Sequence, residues 1–387
     1  MKKDINKSVV LLLAIGLLLI GEACISDRLR PELEGRERIT LQWNKTYEGE
    51  SIDQVMLGLQ WSLSFLGAHM PTESWKEAIQ FRNESTFILD LGKVGFSPTT
   101  LNKMISISDR LKESEEYQIQ DAIDLSRFLV LSLHSSWHYY ELTQAPKNLS
   151  LYLEQQTDVP KDSFPILVSS IATAPRLIRY QAEGPVNERY FIADEGEDIL
   201  SLDKPIDHFE VLDVMPNGQL RFILYDSVGN LASAAPLATT RAGKPSKCLW
   251  CHEVNVQPLF QSTPDLTGFV TSQHFLGIVD STNHLLDAFR ATLPTALDHS
   301  EKQAHTQSEL LYISFMEPSL IRIANEWNMA ETDVQEILKG FPTHTFDEFP
   351  FLGELYHRRW VDSLAPYRSE RPPDSVREPG WEPNFFR

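Results

Sequence analysis

The spacing of apolar positions changes several times along the chain. Lys2, Lys3 and Lys7 precede an unbroken apolar run of 12 residues, Val9 to Ile20, which ends at Gly21-Glu22-Ala23-Cys24. A basic start, an apolar middle and a small residue at the end form the order of a secretory signal over 1–23. The run is shorter than the roughly 18 to 20 residues that cross a bilayer core. Residues 24–45 are charged and rich in Arg and Glu, and predict a tether. Helical spacing then begins. After Ser51, a candidate N-cap, Ile52, Val55, Leu59, Leu63 and Leu66 recur at three- to four-residue steps until Gly67. Phe87 to Leu91 predicts a short strand, and Ser97-Pro98 opens a helix with Leu101, Met104, Ile105 and Leu111 on one face. A third helix is expected over 118–140, so the unit 46–160 is expected to be mainly α.

After Pro160 the period shortens. His208 to Val214 and Gln219 to Tyr225 flank Met215-Pro216-Asn217-Gly218, a hairpin pattern, and Leu177 to Tyr180 and Tyr190 to Ala193 add candidate strands. An antiparallel sheet is expected across 161–240. Region 241–387 returns to helical spacing, with Leu285, Leu286, Phe289 and Leu293, then 309–315, 318–327 and 330–338. The fold class is therefore α+β: an N-terminal helical unit, a central antiparallel sheet and a C-terminal helical region. Beyond Arg368 a Pro-rich, aromatic end is expected to wrap the surface.

Length and composition narrow the function. A chain of 387 residues exceeds one typical domain, and 42% hydrophobic with 23% charged residues is ordinary for a globular protein. The net charge of −19 repels phosphate backbones, which argues against nucleic acid as a partner. Residues 319–338 have the outline of a helix-turn-helix. Glu326, Glu331, Asp333 and Glu336 outweigh Arg322 and Lys339 there, so a helical hairpin is the reading. No Gly-rich phosphate loop interrupts the first helices.

Three cysteines cannot build a disulfide framework, so each needs its own explanation. Cys24, directly after the apolar run and Ala23, resembles the lipobox cysteine of bacterial lipoproteins, although Gly21 and Glu22 depart from the usual pattern. The resemblance implies an acylated Cys24 that anchors the body to a membrane at the cell envelope. Ordinary signal cleavage nearby and an uncleaved anchor are the alternatives.

Cys248 and Cys251 lie in Lys247-Cys248-Leu249-Trp250-Cys251-His252. Two thiols three positions apart on one helical turn can meet two vinyl groups on one porphyrin edge, and the next residue can face the iron. This CxxCH segment resembles the attachment site of c-type cytochromes. The resemblance covers that segment alone and implies one covalent haem c, held by Cys248 and Cys251 with His252 as proximal ligand. Haem c is attached outside the cytoplasmic membrane, which agrees with the signal pattern. A zinc site would need further ligands. A thioredoxin-like dithiol would follow a buried strand, whereas Arg241 to Ser246 reads as an exposed loop. Two unused structural thiols are the third alternative. The motif's position after a sheet is closer to the β-sheet cytochromes of the c-prime-beta group than to the helical cytochromes c, and that group leaves one iron face open.

The sixth iron position separates the functions. Met316, in Phe315-Met316-Glu317-Pro318, lies at a Pro-marked helix corner and is the first candidate; a space-filling core methionine is the alternative. His274, His284, His299, His305 and His344 are minor candidates. His134 and His138, four apart, could share a helix face and a metal, but their aromatic neighbours favour packing. Trp250 is expected to shield the haem edge. With Met316 on iron, the chain is expected to transfer electrons to a redox partner at the envelope; with an open face, to bind or convert a small molecule. A non-redox envelope scaffold is a third reading. Replacing Cys24 with Ser is expected to move the protein from the membrane to the soluble fraction in cell fractionation. An unchanged distribution with Met1 intact would indicate an uncleaved anchor.

Overall fold

A computed structural model of the chain describes residues 35–172, 174–196, 205–238, 240–260 and 264–387. The apolar run and Cys24 lie outside these residues. Within them the chain is α+β, with an antiparallel sheet in the middle and helices at both ends.

The expected tether does not reach residue 45, because Arg38–Gln42 (β1) is a strand. Ile39 and Leu41, two positions apart, are fully buried, and that period-two pair was hidden among charges. With β2 (Ile79–Phe81), β3 (Thr86–Asp90) and β4 (Ile123–Asp124) it forms a sheet in the order β2-β3-β1-β4, so the first unit is less purely helical than its spacing suggested. Helix α1 (Ile52–Phe65) begins at the expected Ser51, which exchanges two hydrogen bonds with Gln54 in a capping box. Helices α2 (Thr72–Ala78) and α3 (Pro98–Lys112) follow, the latter capped by Ser97. The single helix expected over 118–140 is three: α4 (Glu115–Gln120), α5 (Leu125–Leu133) and α6 (Ser136–Leu142). Asp121 ends α4 in the left-handed conformation, and the side chains of Asp124 and Ser135 each cap a new helix. Helix α7 (Leu149–Glu154) closes the unit.

The second sheet is an antiparallel meander of β5 (Asp162–Ile166), β6 (Arg176–Gln181), β7 (Tyr190–Glu195), β8 (His208–Val214) and β9 (Leu220–Asp226), hydrogen-bonded in sequence order. Its last hairpin turns at Asn217-Gly218, as the sequence predicts. The C-terminal helices are α8 (Pro245–His252), α9 (Ser272–Arg290), α10 (Thr306–Met316), α11 (Leu320–Trp327), α12 (Glu331–Ile337) and α13 (Arg358–Leu364).

The first helical unit, the second sheet and helices α9 and α10 share one continuous cluster of buried side chains from Ile39 to Leu311, while α11, α12 and α13 pack around a smaller one with Ile323, Trp327, Val334 and Val361. Helix α10 packs on α1 so closely that a Cβ on Gly58 would stand 2.8 Å from the Gln307 carbonyl oxygen, and Ser62 and Ser308 share a hydrogen bond of 2.8 Å across the contact.

Beside this contact, three buried guanidiniums surround the ring of Phe315, with Arg358 at 4.0 Å, Arg127 at 4.9 Å and Arg322 at 5.6 Å from its centroid. Arg322 meets both oxygens of Asp124 at 2.7 and 2.8 Å. Arg358 meets both oxygens of Glu326 at 2.8 and 2.9 Å, and Arg127 pairs with Glu116 at 3.0 Å and with Asp362 at 3.2 Å. Burial acts to raise the Asp124 carboxyl, yet Arg322 holds it below the usual range. Removing one partner of such a pair strands the other charge out of water. Arg322→Ala is therefore expected to cost about 3–5 kcal/mol in chemical denaturation. Adding Asp124→Ala should cost much less than the sum of the two single losses.

Candidate functional site

Helix α8 carries the CxxCH segment, and its start is held rigidly. Pro245 occupies the first turn, where a missing N–H costs nothing. The preceding segment is not the exposed loop the sequence suggested: residues 242–246 are buried beneath the carboxy-terminal tail. Lys244, fully buried, pairs with Glu382 and donates to the Ser375 carbonyl at 2.7 Å. Its backbone N–H donates to the Arg377 carbonyl at 3.0 Å, and Ser246 donates to the Val376 carbonyl. Gly243 has φ +69°, and a Cβ there would overlap the Arg377 carbonyl oxygen at 2.1 Å. The Pro-rich tail thus clamps the helix. Glu253 ends it in the left-handed conformation.

With α8 so fixed, Cys248, Cys251 and His252 all line one mainly apolar cavity between the helix and the second sheet. Ile178, Phe191 and Leu212 come from the sheet, and Phe260, Phe275 and Val279 close the opposite side. The thiols are free, and burial pushes both upward, Cys248 most strongly. A dithiol built for exchange has its attacking thiol lowered instead. Burial pushes His252 down to about 4, so its imidazole is neutral and able to ligate a metal. Nδ1 accepts a hydrogen bond from the Gln257 N–H at 3.2 Å, a contact that would have to give way for Nδ1 to carry the ring proton and Nε2 to bind a metal.

Two arrangements could use these donors. Among the described residues, the sets of three or more metal-binding side chains with donor atoms within 4.8 Å of one another include neither thiol nor His252. That spread is too wide for a compact zinc site. It fits a flat macrocycle, which is bonded at its edge by the thiols and at its centre by the imidazole. The apolar walls and this donor set are of the kind a haem c would need.

One corner of the cavity is charged, and the sequence reading missed it. Arg176 and Glu210 line the cavity; Arg176 pairs with Glu195 and, at 3.5 Å, with Glu210. His208 stands 3.4 Å from Glu195 and 3.3 Å from Glu210. Arg176, Glu195 and His208 are direct cross-strand neighbours in β6, β7 and β8. The available signal was the charged residues among the apolar ones of three strands: Arg176 and Arg179 in β6, Asp194 and Glu195 in β7, Glu210 and Asp213 in β8. Burial first, and the Glu210 carboxylate second, push Glu195 up to about 9.

Met316 is not beside His252. Trp250 projects from α8 away from the cavity, stacks on Tyr312 at 4.3 Å and on His134 at 5.2 Å, and joins a separate apolar cluster against which Met316 packs. Met316 lines a different cavity, with Tyr312, Phe346 and His357. The helix corner expected from Pro318 exists, but α10 approaches the Trp250 face of α8 and not the cysteine face. Trp250 accordingly packs away from the site instead of shielding it. His274 and His284 are exposed, His299 and His305 pack against Trp61, and His344 lies beside Glu317; none lines the cavity. His138 bonds the Leu131 carbonyl and the Phe385 N–H, so the His134 and His138 pair is structural. No family model, curated protein or solved structure matches this chain.

The charged corner makes stability depend on pH. The folded state keeps a proton on Glu195 that the unfolded chain releases near its ordinary value of 4.5. Between about 4.5 and 9 the unfolded state binds fewer protons, so stability falls as pH rises through that window. Glu195→Gln, neutral throughout, is expected to flatten the fall. Denaturation midpoints between pH 5 and pH 9 measure it, and equal slopes for the two proteins would refute the assignment.

Proposed function

We propose that this chain is an exported haem c protein whose open iron face binds or converts a small molecule. Cys248 and Cys251 would form the thioethers and His252 the proximal bond. The observation that carries the reading is the common cavity: both thiols and the imidazole face it, while its described lining offers no methionine and no second histidine. When bound, the haem would supply a redox-active, Lewis-acidic iron. The protein's own part is to exclude water with Phe191, Phe260 and Phe275, and to keep the imidazole neutral. Arg176 and Glu210 would place a charged, proton-bearing cluster at one corner.

Electron transfer at the envelope, the first expectation, leaned on Met316, whose place on the Trp250 side removes that support. Export and lipid anchoring through Cys24 belong to the same proposal, because haem c attachment requires delivery across the cytoplasmic membrane. The membrane would be the partner at that end. No helix among the described residues is long and apolar enough to cross one.

Co-expression with a haem c maturation system tests this reading. The haem is expected to survive acid-acetone extraction and denaturing electrophoresis, and the reduced protein to bind carbon monoxide readily. Met316→Ala should change neither the carbon monoxide binding nor the potential. Release of all the haem would overturn the attachment. Binding that becomes fast only in Met316→Ala would restore Met316 as the sixth ligand.

A further inference from the structure

The cavity that takes Met316 borders a second constellation unrelated to the cysteines. Glu317, His344 and His357 offer one donor atom each, all within 4.8 Å of one another. His344 Nε2 stands 2.7 Å from Glu317 Oε2, and the two imidazole rings stack with centroids 4.7 Å apart. Among the described residues no hydrogen-bond partner faces the His357 ring, which leaves its nitrogens free to bind something else.

The backbone holds these three residues together independently of any ion. Glu317 caps the end of α10 and His357 caps the start of α13. Between them, His344 and Leu355 exchange backbone hydrogen bonds of 3.1 and 2.9 Å, and the Tyr356 N–H donates to the Pro318 carbonyl at 2.9 Å. Three segments distant in sequence are therefore laced side by side, each presenting one ligating side chain. Two imidazoles and one carboxylate with an open position form the ligand set of many mononuclear zinc and iron sites. Three donors bound tetrahedrally at about 2.0–2.2 Å from one ion would stand roughly 3.3 Å apart, so closure needs shifts of about an ångström or less in two side chains.

The other close cluster, Glu195, His208 and Glu210, differs in one respect. Arg176 already lies between its carboxylates and occupies the place of a cation. Beside Glu317 and His357 lies a cavity that Arg358, Arg359 and Arg377 also line, but Arg358 is turned to Glu326 and Arg377 to Glu309, and neither stands between the three donors. We infer that Glu317, His344 and His357 form a mononuclear site for a divalent transition metal of the zinc class, with its open position toward this cavity.

Zinc content and calorimetric Zn²⁺ titration of the haem-loaded full chain, stripped first with a chelator, test the site. One Zn²⁺ per chain is expected in addition to iron. His344→Ala, His357→Asn and Glu317→Gln should each weaken binding at least tenfold while the haem spectrum and circular dichroism stay unchanged. No zinc uptake at millimolar Zn²⁺, or uptake insensitive to all three substitutions, would overturn the site. A chain purified without haem is titrated before and after alkylation of Cys248 and Cys251. Zinc lost on alkylation would belong to the thiols and would also refute the proposal, whereas zinc retained there would support it even if the haem reading failed.

Discussion

The packing of three buried guanidiniums around Phe315 is the constraint on which the rest of the molecule depends. Arg127 belongs to the first helical region; Arg322 and Arg358 come from the carboxy-terminal helices, and each is paired with a carboxylate. A charge taken out of water is tolerated only with its partners in place. The network therefore couples the two ends of the chain, and α10, which carries Phe315, is fixed against α1 and α5. The position of α10 in turn gives Trp250 its stacking partner Tyr312 and so sets which face of α8 turns inward.

The site inherits its geometry from that chain of contacts. Helix α8 has eight residues, too short to be stable by itself. Its start is held by the tail through Lys244, Gly243 and Ser246, and its inner face by the second sheet, where the ring of Phe222 lies 5.1 Å from that of His252. The same rotation that turns Cys248, Cys251 and His252 toward the sheet turns Trp250 toward α10. A ligand borne at the end of α10 is thereby kept on the opposite side of the helix. The cavity wall of Phe191, Phe260 and Phe275 suits an apolar guest, with Arg176 and Glu210 supplying a charged corner.

The sequence by itself determined the elements whose signals are local. Ser51 and Gln54 cap α1, Ser97 and Pro98 open α3, and Asn217-Gly218 turns the last hairpin, because capping and turn chemistry act within four residues. The α+β order and the spacing of Cys248, Cys251 and His252 were legible for the same reason. Tertiary structure decided what depends on distant partners. Asp124 and Ser135 could have lain within one helix, but Asp124 caps a new one while its carboxylate receives Arg322 from nearly 200 residues away. Ile39 and Leu41 became a strand because β3 and β4 were there to pair with them. Arg176, Glu195, His208 and Glu210 were scattered charges until the meander set them side by side. Met316 satisfied every local requirement of a ligand, and only the packing of α10 against Trp250 decided which cavity it entered.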